Sequence, residues 1–126
     1  MLKPSVTEEF AAKWIEAWNA HDVDGVLAHY RDDVTFTSPF AKALAGVPDG
    51  TLRGLSELRH YFQTGLRAFP DLHFEPIAAY AGVRSIALHY RSVGGRDAIE
   101  VVELDSNRRV HWSTAHYPPG TMPRGR

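Results

Sequence analysis

The stretch "RSIALHYRSVGGRDAIEVVEL", residues 84–104, alternates apolar and polar side chains on both sides of a glycine-centred turn. That is the pattern of two antiparallel strands. Side chains alternate between the faces of a strand, so Ala98, Val102 and Leu104 share a face with Glu100. A carboxylate in such company is a surface accident, a structural ion pair, or the acid or base of a pocket. Further strands read on either side, "DLHFEPIAAY" at 71–80 and "RVHWSTAHY" at 109–117, joined through "AG" and "DSNR" turns. No repeat or linker interrupts the run.

Upstream the period changes from two to that of a helix. In "TEEFAAKWIEAWNA", residues 7–20, Phe10, Trp14, Ala17 and Trp18 recur at threes and fours, which predicts a helix with an aromatic stripe, capped by Thr7. "DVDGVLAHY", residues 22–30, predicts a shorter helix with Val23, Val26, Leu27 and Tyr30 on one side. "DVTFTSP", residues 33–39, predicts a short strand from Val34 to Ser38 that stops at Pro39. Residues 40–54, carrying Gly46, Pro48, Gly50 and Gly54, read as an ordered but irregular connection. "SELRHYFQTGLRAF", residues 56–69, sets Leu58, Phe62, Leu66 and Phe69 in helical register. The order predicts an α+β fold, a strongly curved antiparallel sheet wrapped around the N-terminal helices as a cone-shaped barrel with an internal cavity. Residues 1–118 form the expected single domain and 119–126 a flexible tail.

Composition narrows the function classes. A chain of 126 residues can bury one core. Lys+Arg 14 against Asp+Glu 15 gives a net charge of -1 and no electrostatic reason to expect nucleic acid or an anionic membrane. Cysteine is absent, which removes disulfides and thiolate chemistry and suits a cytoplasmic protein. No segment reaches the roughly 18 apolar residues of a membrane span. The seven histidines form no HxxxH helical pair, and no glycine-rich phosphate loop follows a strand, so neither a metal nor a cofactor is expected.

Through "WIEAWNAHDVDGVLAHYRDDVTFTSP", "GLSELRHYF", "FPDLHF" and the final strands, the sequence resembles the nuclear transport factor 2-like superfamily, in particular its SnoaL-like and ketosteroid isomerase-like branch. The resemblance implies a pocket for a small apolar ligand and a homodimer built on the outer face of the sheet. It also implies roles for particular positions. Ser38 stands where the isomerases keep a proton-shuttling aspartate, and Trp14 where they keep an oxyanion-donating tyrosine. Tyr30 matches a second tyrosine of that site. Glu100 falls on their protonated aspartate.

Register decides which side chains join Glu100. A tight Val93-Gly94-Gly95-Arg96 turn places His89 opposite it, and the "DSNR" connection places Ser113 opposite and His111 diagonal. A one-residue bulge in either turn would substitute Tyr90, or Trp112 and His116. Burial raises the carboxyl pKa, and a neighbouring imidazolium lowers it again. The expected site therefore has Glu100 and His89 as catalytic acid–base partners. Trp14, Tyr30, Ser38, Tyr90, His111, Ser113 and Tyr117 are expected to bind the ligand. The function expected is a small cofactor-free protein performing isomerase, cyclase or hydratase chemistry by proton transfer. The alternative is a noncatalytic binding or dimerisation module. A buried Glu–His contact favours the enzyme, and a cavity filled by Trp14, Trp18 and Tyr90 favours the module. Ile99 and Val101, apolar on the face opposite Glu100, mark the expected dimer surface.

Overall fold

The computed structural model describes residues 1–121. In chain order they form α1 (Pro4–Asn19), α2 (Val23–Leu27), β1 (Tyr30–Thr37), α3 (Pro39–Ala45), β2 (Thr51–Arg53), α4 (Leu55–Ala68), β3 (Glu75–Ala81), β4 (Ser85–Arg91), β5 (Asp97–Leu104) and β6 (Val110–His116). The strands join one six-stranded sheet in the order β2-β1-β6-β5-β4-β3. This is the expected α+β architecture with one topological difference: β1 runs parallel to β6. Those two strands lie far apart in sequence, with helices in the intervening chain, a connection that permits parallel pairing where a hairpin does not.

The inner face of the sheet carries the core. Ile86, Leu88 and Tyr90 on β4 and Ala98, Val102 and Leu104 on β5 are buried, and Glu100 is buried among them. Onto this face α1 lays its aromatic stripe. Trp14 stacks on Phe74 with centroids 5.8 Å apart and meets Tyr90 edge-on at 5.2 Å. Trp18 meets Phe62 of α4 at 4.7 Å. The segment between α4 and β3 is tied to the end of α1. Asn19 Nδ2 donates to the Phe74 carbonyl at 2.9 Å, Phe74 N donates back to Asn19 Oδ1 at 2.7 Å, and His21 Nε2 lies 2.8 Å from the Leu72 carbonyl.

Several boundaries differ from the sequence expectation for local reasons. Helix α1 begins at Pro4, because proline's fixed φ and missing N–H suit the first helical position. Thr7 is therefore not the cap but lies inside the helix, buried, with Oγ1 donating to the Lys3 carbonyl at 3.2 Å. Helix α2 stops at Leu27, and Tyr30 opens β1 instead of closing that helix. The connection expected to be irregular holds α3 and β2. Ser38 caps α3, accepting from Phe40 N at 3.1 Å, with Pro39 in the first turn and Gly46 closing the helix at φ 67°. Residues 122–126 of the expected tail lie outside the described residues, while Pro118 to Thr121 form a turn in which Thr121 Oγ1 donates to the Pro118 carbonyl.

Gly50 sits against this cap. Its φ is +66°, its carbonyl accepts from Ser38 N at 2.9 Å, and an added Cβ would stand 3.0 Å from the Ser38 carbonyl oxygen. Gly50→Ala is expected to lower the unfolding free energy by about 1–2 kcal/mol, the cost of forcing an L side chain into left-handed backbone. Urea denaturation of the two proteins checks it, and equal midpoints would contradict it.

The decisive correction is the register of the β4–β5 hairpin. Arg91 pairs with Asp97 and Leu88 with Glu100, so the connection runs from Ser92 to Arg96 and is one residue longer than the tight turn. Gly94 and Gly95 supply two successive left-handed residues, at φ 67° and 71°, and Ser92 N donates to the Arg96 carbonyl at 2.6 Å. That extra residue moves His89 to the outer face, opposite Ile99, and turns Tyr90 inward. On β6 a bulge at His111 separates the pairs Glu103–Trp112 and Leu104–Val110. With the β5–β6 connection also one residue longer than the expected "DSNR" turn, Ala115 is opposite Glu100 and Ser113 is diagonal to it, while the bulge takes His111 off the inner face.

Candidate functional site

Glu100 is the one Asp, Glu, His, Lys or Arg side chain that is buried among the described residues, 3% exposed. Ser113 Oγ donates to its Oε2 at 2.8 Å, and the Tyr90 hydroxyl approaches Oε1 at a long 3.5 Å. Burial raises its pKa to about 7, against the lowering effect of those two hydroxyls. The group is therefore divided between its acid and carboxylate forms near neutral pH. The surrounding phenols are held in their neutral forms. Tyr30, Tyr61 and Tyr90 are all raised, by burial first and by neighbouring acidic groups after it. Tyr117 is pushed up to about 12, again by burial and then by Glu100.

Glu100 lines a hollow of about 70 Å³ between the helices and the sheet. Its wall is mainly aromatic, with Trp14 and Trp18 from α1, Phe36 from β1, Phe40 from α3 and Phe62 from α4. Polar groups enter at few points: Ser38, Tyr61, Tyr90, Ser92 and Tyr117 beside Glu100. A wider hollow of about 430 Å³ shares Phe69, Leu72, Ser92 and Val93 with it. The mouth accordingly lies between the α4–β3 segment and the β4–β5 turn, where Arg91 and His73 stand on the outer rim.

The expected site residues divide into two sets. Glu100, Ser113, Tyr90, Tyr117, Ser38 and Trp14 come together at the hollow or directly behind its wall. His89 does not: it faces outward, with Nε2 3.6 Å from Asp97 Oδ1. His111 does not either, its Nε2 lying 3.0 Å from Glu103 Oε1. Tyr30 is buried behind Trp14 and accepts its indole N–H at 3.1 Å, so the Trp14 donor is already used within the protein. Two polar lining residues, Tyr61 and Ser92, escape the sequence reading. Tyr61 follows Leu58 by three positions on the buried face of α4, a spacing that places it inward. Ser92 follows Tyr90 by two positions, so it shares the inner face once the register is known.

A hollow enclosed by sheet and helices, with one protonatable carboxyl ringed by hydroxyls and aromatic rings, defines a pocket-bearing protein of the nuclear transport factor 2-like, ketosteroid isomerase-like fold class. A model of the SnoaL-like domain matches residues 11–119, and the chain belongs to that family. A SnoaL-like protein of unknown function from Burkholderia thailandensis is 46% identical, with 92% of this chain and 97% of that one covered at a TM-score of 0.89. SalBIII, described as an epoxide hydrolase/cyclase-like enzyme of pyran ring formation in the polyether salinomycin, is 18% identical, with 89% and 90% covered at a TM-score of 0.70. A protein with a ketosteroid isomerase-like fold from Catenulispora acidiphila, in complex with trimethylamine, is 11% identical, with 91% and 89% covered at 0.73. The last two likenesses concern the fold alone. No curated protein matches the chain.

Among the described residues no helix is long and apolar enough to cross a membrane, and no group of three or more potential ligands gathers as a metal site.

Proposed function

We propose that this chain binds a small apolar, carbonyl-bearing molecule in the hollow and uses Glu100 to move a proton to or from it, as a cofactor-free isomerase, cyclase or hydratase. The observation that carries this reading is a carboxyl buried in an aromatic wall, hydrogen-bonded only by hydroxyls, with its pKa raised to about 7. A general acid or base works best when its pKa lies near the operating pH. A structural role for Glu100 would be served better by a cationic partner, and its hydrogen bonds supply none. Without His89, Glu100 acts with Tyr90 and Ser113 as its hydrogen-bonding partners, and Ser38 and Tyr117 bound the ligand.

The direct test is deuterium exchange at the carbon next to the carbonyl of cyclopentanone in deuterium oxide, followed by proton NMR. The protein is expected to accelerate exchange over buffer, and Glu100→Gln to remove about two to four orders of magnitude of that rate. An exchange rate equal to that of buffer favours the second reading, a noncatalytic binding or dimerisation module. One observation supports that second reading, a hollow of only about 70 Å³ with Trp14, Trp18 and Tyr90 in its wall, and the resemblance adds that Ser38 stands where the isomerases keep an aspartate.

We further propose a cytoplasmic homodimer joined through the outer face of the sheet. Ile99 is 43% and Trp112 38% exposed, and both belong to the face opposite Glu100. Two large apolar side chains on one sheet face favour a covering partner. Light scattering at micromolar concentration is expected to give twice the chain mass, falling to the monomer in Trp112→Glu. A monomeric parent protein would contradict it.

A further inference from the structure

The hollow that holds Glu100 has walls of two kinds. Trp14 belongs to α1, Phe62 to α4 and Glu100 to β5, long elements packed on one another through the core. Phe40 and Tyr117 come from shorter pieces of chain, Phe40 from the seven-residue α3 and Tyr117 from just past the end of β6, and their rings meet edge-on at 5.0 Å. Beyond His116 the chain leaves the sheet, and Pro118 and Pro119 bring no N–H to bond it elsewhere. Its turn closes on itself, with Thr121 Oγ1 and Thr121 N both donating to the Pro118 carbonyl, at 2.7 and 3.3 Å. Arg96 ties this segment down. Its Nε donates to the Thr121 carbonyl at 2.6 Å and its Nη1 to the Val93 carbonyl at 2.9 Å, while the guanidinium carbon lies 5.6 Å from the centre of the Phe40 ring. A guanidinium fork serves two carbonyls at once, and its charge is attracted to an aromatic face. One half-buried cation thus joins the β4–β5 connection, α3 and residues 117–121, and each of the three supplies a lining residue: Val93, Phe40 and Tyr117. The guanidinium also lies against Gly94, where an added Cβ would collide with Nη1.

We propose that Arg96 is a specificity-determining residue: by holding Phe40 and residues 117–121 in place, it keeps the hollow small and sets the largest ligand that the hollow admits. This rests on the reading of the hollow as a ligand site. Two hydrogen bonds and one ring contact are the part of the wall that yields at least cost, because enlarging the hollow elsewhere would break strand pairing or pull the α1 stripe out of a close-packed core. Compact apolar carbonyl compounds enter with Arg96 seated. Bulkier compounds of the same chemistry are turned away.

Binding of cyclopentanone and cyclooctanone, ketones that differ by three methylenes, tests this on the intact protein, read from the Glu100 and Ala115 amides in proton–nitrogen NMR spectra. In a hollow with room to spare, burying three more methylenes strengthens binding by about fiftyfold. The parent protein is expected to gain none of that and to bind the larger ring no more tightly than the smaller. Arg96→Ala is expected to bind cyclooctanone at least about tenfold more tightly than the parent does, and cyclopentanone within about threefold of the parent. Gly94→Asn is expected to do the same, because asparagine tolerates the left-handed backbone at this position and its Cβ displaces the guanidinium. If Arg96→Ala does not fold, Gly94→Asn decides. A parent protein that binds cyclooctanone about fiftyfold more tightly than cyclopentanone has no size limit to explain. Variants that change both ketones by one factor, or change neither, give Arg96 no part in selection. Either result overturns the proposal and leaves the ligand site standing. Ketones that shift neither amide in any of the three proteins overturn the ligand site itself, and the proposal with it.

Discussion

Glu100→Gln is expected to gain stability over the parent protein as pH rises from about 4.5 to about 7. The folded protein holds the Glu100 proton up to about pH 7, while the unfolded chain releases it near 4.5. Between those values the folded state binds more protons than the unfolded state, so the parent loses stability as pH increases. At one pKa unit per 1.36 kcal/mol, the full difference is on the order of 3 kcal/mol. Glutamine keeps the shape and the acceptor for Ser113 but does not titrate. Urea denaturation of both proteins at a series of pH values reads the difference. A gap that stays constant across the window would mean that Glu100 titrates as an ordinary surface carboxylate.

Trp14→Ala carries the other large effect. The indole is almost wholly buried, stacked on Phe74, edge-on to Tyr90 and donating to Tyr30. Removing so large a side chain from a core costs about 3–5 kcal/mol, and the Tyr30 hydroxyl is left without its donor. Against the 5–15 kcal/mol that typically holds a domain together, the variant should be marginal or unfolded at room temperature. Val83, 73% exposed between β3 and β4, offers the contrast: Val83→Ala should stay within about 0.5 kcal/mol of the parent. Thermal melts of the two variants separate these cases. Equal melting temperatures would mean that the α1 stripe does not organise the core.

Both strong sequence periods survive in the structure. The Phe10-Trp14-Trp18 stripe is buried as its spacing requires, and the alternation through β4 and β5 gives one apolar inner face. Glu100 shares that face with Ala98, Val102 and Leu104, because within one strand the alternation needs no knowledge of the neighbours. What pairs with Glu100 across strands was not legible, since one residue in a turn reverses the face of a whole strand. The Gly94-Gly95 pair allows either a tight turn or the longer connection, and nothing local chooses between them. Hence Tyr90 replaces His89 on the inner face, and the five-residue connection 105–109 together with the His111 bulge moves Ser113 from opposite to diagonal.

Helix α3 had a readable signal in Ser38-Pro39 with Gly46 seven residues on, a cap, a first-turn proline and a terminator. The glycines and proline that follow outweighed it. Parallel pairing of β1 with β6 has no local signature at all, because it depends on how the intervening elements close the sheet. The satisfied Trp14 indole and the unsatisfied Trp18 indole are likewise beyond any reading of spacing. Both residues sit on one helical stripe, and only the position of Tyr30 distinguishes them.

The carboxyl of Glu100 lies buried at the wall of the hollow, where burial raises its pKa to about 7. Carbon-13 NMR of the glutamate side-chain carboxyls, with Glu100 assigned through Glu100→Gln, measures its titration directly. A midpoint close to pH 7, far from the other glutamates, is the result predicted. A midpoint near 4.5, in line with an exposed glutamate, would contradict it.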